Sequence, residues 1–214
     1  MKAVLLGATG ATGKEVLELL LQDANYHQVD IFVRRTFALQ HDKLNVHVID
    51  FDTPETWGHL VTGDVLYSCL GTTLKAAGSK EAQWKIDYDY QYEFAKRAQE
   101  QGIPNYVLVS ASNASPDSFF FYSKMKGKLE EAVKALGFPK IVIMRPPILV
   151  RENSERTMEV IGVKVLRFFN RLGLLRSQRP MKTKHLAEAM IASVQALPQG
   201  EHSIEEQDIL KVLE

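Results

Sequence analysis

The chain has 214 residues, 45% of them hydrophobic and 24% charged, which suits one globular domain with a full core. Its 26 basic and 26 acidic residues cancel, leaving no field of one sign to draw nucleic acid or an anionic membrane. One cysteine, Cys69, excludes an internal disulfide, and the six histidines show no metal-ligand spacing. No apolar run reaches the roughly 18 residues of a membrane span, and Met1 stands directly before the first strand with no secretory signal peptide between them. The location expected on these grounds is cytoplasmic.

The apolar run Lys2-Ala3-Val4-Leu5-Leu6 reads as a strand and leads into Gly7-Ala8-Thr9-Gly10-Ala11-Thr12-Gly13, after which the pattern turns helical over 14–23. Strand, glycine turn and helix in that order let the backbone approach a pyrophosphate and aim the unpaired N–H groups of the helix start at its charge. The turn residues Gly7, Thr9, Gly10, Ala11, Thr12 and Gly13 are therefore candidate dinucleotide ligands. The second strand, Val29 to Val33, ends in Arg34-Arg35. An acidic residue at that end would bind a free ribose 2′-hydroxyl, whereas arginine forks onto a 2′-phosphate. Asp30 lies inside the strand rather than at its end, so Arg34 and Arg35 favour NADP(H) over NAD(H). After the third strand, Val46 to Ile49, Asp50 is either an acceptor for the adenine amino group or an ordinary turn aspartate.

The next strand runs Val65 to Leu70 and contains Cys69, read as a small buried residue. Leu70, Gly71 and Thr72 make a compact turn beside the nicotinamide ribose. Helical patterns over 80–101 and 122–136 end at Gly102 and Gly137, with strands at Tyr106 to Val109 and Ile141 to Met144 around them. Regular helix resumes at His185 after a loosely patterned stretch, 145–180, expected to flank the cofactor's reactive end. Alternating strands and helices joined by right-handed crossovers give an α/β fold, a doubly wound parallel sheet of Rossmann type, in a single domain 1–214 with a small C-terminal appendage on the substrate side.

Tyr122 and Lys126 share one helix face at i, i+4, directly after a strand that ends Ser110-Ala111-Ser112. Tyr92 and Lys96 repeat the spacing inside another helix, and position separates the two pairs. Ligands of such sheets sit at the carboxyl edge, where Tyr122 opens its helix, so Tyr92 is read as a packing residue. Pro146 and Pro147, beyond the sixth strand, shape the pocket or make rigid turns. The basic amphipathic run Val163 to Leu172 reads as a helix over the substrate pocket with a solvated face, or as a partner or membrane contact.

On Gly7 to Gly13, Cys69-Leu70-Gly71-Thr72-Thr73, the serine strand, Tyr122 to Lys126 and Arg145-Pro146, the chain resembles an atypical short-chain dehydrogenase/reductase, specifically the Tat-interacting protein family of NADP-binding proteins. That resemblance implies a tyrosine acting as general acid or base, a lysine binding the nicotinamide ribose and lowering the tyrosine pKa, and a serine orienting the carbonyl. Carried across residue by residue, these are Tyr122, Lys126 and Ser110, with Ser112 the alternative serine. Many family members have asparagine where this chain has Asp87. Independently of the family, hydride addition to a carbonyl builds charge on oxygen and requires a positioned proton donor.

The expected function is an NADPH-dependent oxidoreductase acting on a small-molecule carbonyl. The alternatives are an NADP(H)-binding regulatory or scaffold protein with little turnover, and an isomerase or epimerase using its cofactor transiently. A homodimer or a protein partner fits the regulatory reading, and no metal is expected.

Overall fold

The computed structural model describes residues 1–150, 180–206 and 208–214. Seven parallel strands form one sheet in the order β3-β2-β1-β4-β5-β6-β9. They are β1 Lys2–Leu6, β2 Gln28–Val33, β3 Leu44–Val48, β4 Val65–Ser68, β5 Asn105–Val109, β6 Lys140–Arg145 and β9 Gly200–Glu205. A separate parallel pair joins β7 Leu149–Val150 to β8 Met181–Lys182. Strands β1, β2, β4, β5 and β6 are buried along almost their whole length, as apolar runs covered on both faces must be.

One face of the sheet is covered by α1 Ala11–Gln22 and α7 Thr183–Ala196, which bring Val16, Leu20, Leu186 and Met190 onto Leu5, Ile31 and Val142. The other is covered by α5 Tyr90–Glu100 and α6 Phe121–Lys134, joined by α2 Pro54–Trp57. There Phe94, Leu129, Val133 and Trp57 meet Leu66, Leu108 and Ile143. Lys140, buried at the start of β6, donates to the carbonyls of Val194 (2.7 Å) and Leu197 (2.6 Å), closing the end of α7 against the sheet. The chain reverses its winding between β1 and β4, the switch point where such sheets open a crevice.

The expected doubly wound single domain is the observed fold, with local departures. Helix α1 starts at Ala11 rather than 14, and β4 ends at Ser68, because Cys69 and Leu70 turn away over Gly7. The helical stretch 80–101 is three pieces: α4 Lys80–Trp84, a π-helical turn Lys85–Asp89, and α5. A short α3, Leu74–Ala77, precedes it, with Thr73 and Ser79 capping α3 and α4. Gly102 and Gly137 follow their helices at φ +76° and +73°, as expected of terminal caps. Strand β9 had no clear signal, since Glu201, His202, Ser203 and Glu205 leave a largely exposed polar edge. Most of the stretch 145–180, including the run Val163 to Leu172, lies outside the described residues.

Candidate nucleotide-binding and active site

Every predicted site residue follows the carboxyl end of a strand or opens the helix after it. Gly7 follows β1 at φ +87°, and a Cβ there would lie 2.6 Å from the Cys69 carbonyl carbon and the Leu70 nitrogen. At Gly13 a Cβ would lie 2.1 Å from the Gly7 oxygen, so α1 packs on the turn only because both residues lack side chains. The Gly10 N–H donates to the Gly7 carbonyl (2.9 Å), closing the turn. No side chain caps α1, and its first turn carries no acid, so its positive end remains open to an anion.

Two glycines are not explained by the protein itself. Gly10 has an ordinary φ of −78°, and a Cβ there would approach only the Gly7 oxygen closely, at 3.2 Å. At exposed Gly71 a Cβ would meet nothing within 4 Å, and φ lies outside the left-handed region. Glycines demanded by neither packing nor backbone, facing one crevice, fit a dinucleotide lying against the main chain.

At the adenosine end, Asp30 is buried and held by Lys2 (2.9 Å), Gln28 (2.8 Å) and Asn45 (3.0 Å), which takes it out of ribose recognition. Arg34 and Arg35 are exposed just past β2, and neither has an ion-pair partner among the described residues. Asp50 is exposed, and its carboxylate accepts from the Asp52 N–H (3.0 Å) while its carbonyl accepts from the Trp57 indole (2.8 Å). The turn role foreseen for it is thus realised.

At the reactive end, Lys126 is 2% exposed and donates to the Val109 carbonyl (2.9 Å), which seats its ammonium at the end of β5. Burial lowers its pKa, opposed by the charges of Asp87 and Glu130. Tyr122, four residues earlier on α6, is 44% exposed, yet the protein around its hydroxyl pushes the phenol up to about 12, with the Asp87 charge adding to the rise. In this arrangement burial and the Asp87 charge hold the Tyr122 phenol above its usual range, where the family resemblance implies a lowering by Lys126. Cys69 is half-buried rather than buried as expected, yet the protein around its thiol pushes it likewise up to about 12. Tyr92 packs on the core and stacks with Tyr88 (6.3 Å between centroids), the role position assigned it.

Three charged residues complete the site. Ser110 is buried and donates its hydroxyl proton to Glu130. The Glu130 carboxylate also takes Arg145 Nε (3.1 and 3.2 Å) and Nη2 (2.5 Å), and Arg145 reaches on to Glu205 (2.6 Å). Glu130 was missed in the sequence although it sits four residues past Lys126, continuing the face of Tyr122 and Lys126 by one more turn. Ser112, half-buried, donates to Glu206 near the surface, and its N–H donates to the Pro146 carbonyl (3.1 Å). That contact ties buried Pro146 and Pro147 to the serine loop.

A parallel sheet in this order, with a glycine turn at the switch point, defines a Rossmann-type fold. The chain belongs to the NAD(P)H-binding family, whose model matches residues 7–195. It is 40% identical over 171 residues to "Protein FMP52, mitochondrial" of Meyerozyma guilliermondii, covering 77% of this chain and 73% of that one. Over 202 residues it is 33% identical to "Protein FMP52-1, mitochondrial" of Scheffersomyces stipitis, covering 91% and 88%.

Among solved structures it is similar to Bordetella bronchiseptica WbmH in complex with NAD+ (TM-score 0.73, 15% identity, 95% of this chain and 75% of that one). It is also similar to Thermotoga maritima UDP-glucose 4-epimerase with UDP-glucose (TM-score 0.71, 10% identity, 96% and 77%). At such identities the likeness is one of fold.

The mitochondrial relatives overturn the cytoplasmic expectation. That expectation had excluded a secretory leader and a membrane span, but an organelle address is a separate signal that neither exclusion touches. No described helix is long and apolar enough to cross a membrane.

Proposed function

We propose that the chain is an NADPH-dependent reductase of a small carbonyl compound, with Tyr122 as proton donor. The observation that carries this reading is the convergence of Tyr122, buried Lys126 and Asp87 on the carboxyl edge that also carries the glycine turn. The residues that would hold the dinucleotide are Gly7, Thr9, Gly10, Ala11, Thr12 and Gly13 at the pyrophosphate, and Arg34 and Arg35 at a 2′-phosphate. Leu70, Gly71, Thr72, Lys126 and Pro146 would line the nicotinamide end. Once bound, the cofactor supplies the hydride.

The chain's own contribution is proton delivery and orientation. A phenol held at about 12 stays protonated at neutral pH, the state needed to donate to a forming alkoxide. Lys126 presents its ammonium to the ribose hydroxyls. The resemblance assigned carbonyl orientation to Ser110 first, but its proton is committed to a buried, ion-paired carboxylate. Ser112 exchanges a near-surface partner at lower cost and is the more available donor.

The commitment of Ser110 also favours a second reading: an NADP(H)-binding regulatory protein with little turnover, which the resemblance to the Tat-interacting family makes credible. The names of its relatives support a mitochondrial compartment for either. Steady-state NADPH oxidation across a panel of aldehydes and ketones separates the two readings. Tyr122→Phe should abolish most reduction and keep NADPH affinity, while Tyr92→Phe changes neither. Parental turnover in Tyr122→Phe would end the proton-donor assignment. Absence of turnover across the panel, with nucleotide-dependent capture of a protein partner, would establish the regulatory reading.

A further inference from the structure

Nine large hydrophobic side chains stand exposed among the described residues, and five of them, Leu74, Phe119, Phe120, Tyr122 and Ile148, lie beyond the carboxyl ends of β4, β5 and β6. Those strands are neighbours in the sheet, so the five side chains border one stretch of its carboxyl edge. Phe119 is fully exposed and Phe120 is 78% exposed, whereas Phe121 packs on Trp84 (6.2 Å between centroids). The outward rings sit on a loop fixed by its own hydrogen bonds. The Ser115 N–H donates to the Ser123 carbonyl (3.1 Å), the Ser118 N–H to the Ser115 carbonyl (3.1 Å), and the Ser118 hydroxyl accepts from the Phe120 N–H (3.2 Å). The loop also seats closely on α6, because a Cβ at Gly127 would fall 2.2 Å from the Ser115 carbonyl carbon.

Apolar rings presented to solvent by an ordered loop mark a contact surface. What meets it follows from Tyr122, whose ring belongs to the apolar rim while the protein surrounds its hydroxyl. A compound whose carbonyl reaches that hydroxyl lays the rest of its body on Phe119 and Phe120, flanked by Leu74 from the β4 side and Ile148 from the β6 side. The hydroxyls of a sugar would lose water there and find no donor or acceptor on these four side chains. An alkyl or aryl body gains by leaving water.

Resting on the reading of Tyr122 as proton donor, we infer that this rim is the docking site for the apolar body of the substrate, a long-chain or aryl aldehyde or ketone, with Phe119 and Phe120 setting that specificity. The carbonyl carbon takes a hydride from NADPH and the carbonyl oxygen takes the Tyr122 proton. An alcohol, NADP+ and a phenolate that water reprotonates result.

The test compares the parent with Phe119→Ser/Phe120→Ser, a double change at exposed side chains, with a thermal melt to establish folding. In the parent, kcat/KM for NADPH-dependent reduction should rise about twofold or more per added methylene, at least about tenfold from butanal through hexanal to octanal, with glyceraldehyde poorest. The variant should flatten the octanal-to-butanal ratio to below about threefold. A ratio unchanged in the variant, or a parent that prefers glyceraldehyde, would overturn the inference and leave the proton-donor reading standing.

Binding is read apart from turnover, by ligand-observed NMR titration of 1-octanol and 1-butanol into both proteins without cofactor. Octanol should bind the parent at least about tenfold tighter than butanol, and the variant should lose most of that margin. If no aldehyde is reduced while octanol still binds through the two phenylalanines, the reductase reading fails and the apolar docking site stands. Octanol binding parent and variant alike would overturn the inference whatever the turnover. Sedimentation velocity decides against the remaining occupant: a parent dimer that the variant dissociates would assign the rings to a second copy of the chain and overturn it as well.

Discussion

Replacing Glu130 by glutamine should destabilise the protein far more than any other single change to its ionic network. Glu130 is 3% exposed and serves three donors at once, Nε and Nη2 of Arg145 and the Ser110 hydroxyl. Glutamine keeps one oxygen and turns an N–H₂ toward the guanidinium donors, leaving a mostly buried cation short of its acceptor. Breaking such a pair costs about 3–5 kcal/mol. Arg145 retains Glu205 and its side chain is 23% exposed, so the lower end applies, about 3 kcal/mol. At about 2–4 °C per kcal/mol for a chain of this size, Tm should fall by about 6–12 °C. Glu205→Gln is the control: that side chain is 52% exposed, and its loss should cost less than about 1 kcal/mol. Thermal unfolding followed by circular dichroism reads both. A fall below about 2 °C for Glu130→Gln, or an equal fall for Glu205→Gln, would refute the idea that the buried carboxylate anchors α6 to β6.

Alanine at both Arg34 and Arg35 should reduce the preference for NADPH over NADH at least tenfold, about 1.4 kcal/mol, by titration of each nucleotide; an unchanged ratio would remove the 2′-phosphate assignment. Gly13→Ala should fail to fold or lose most of its stability, because its Cβ would fall 2.1 Å from the Gly7 oxygen, whereas Gly71→Ala should melt like the parent and bind NADPH more weakly. Cys69, half-buried and with its pKa pushed up to about 12, should resist iodoacetamide at pH 8 in native protein and react once the protein is unfolded; rapid native labelling would contradict that shift.

What could be read in the sequence was what is encoded locally. The turn from Gly7 to Gly13 announces itself because its three glycines stand between an apolar strand and a helical pattern, although the close approach that demands Gly7 comes from distant Cys69 and Leu70. Tyr122 and Lys126 were legible through helical spacing, and strand position was enough to set Tyr92 apart. The Glu130–Arg145–Glu205 chain was not legible, because its members come from α6, β6 and β9, and β9 carries too little apolar alternation to be seen. Asp87 stood out in the sequence only as a departure from many members of the family the chain resembles. Its burial against Thr72 depends on the π-helical turn, and no pattern of hydrophobic residues signals that insertion. The commitment of Ser110 to Glu130 was hidden for the same reason, since a serine ending a strand looks available until its partner is placed.

The central claim is that the turn from Gly7 to Gly13 holds the cofactor's pyrophosphate. Calorimetric titration of NADPH and NADH into the parent and into Gly10→Val tests it most directly, with a thermal melt to establish that the variant is folded. Gly10 is the right position because the protein's own packing asks little of it. The account predicts one nucleotide site in the parent, at least tenfold weaker binding of both nucleotides in Gly10→Val, and an unchanged ratio between them. Parental affinity in folded Gly10→Val would contradict it and place the phosphates elsewhere.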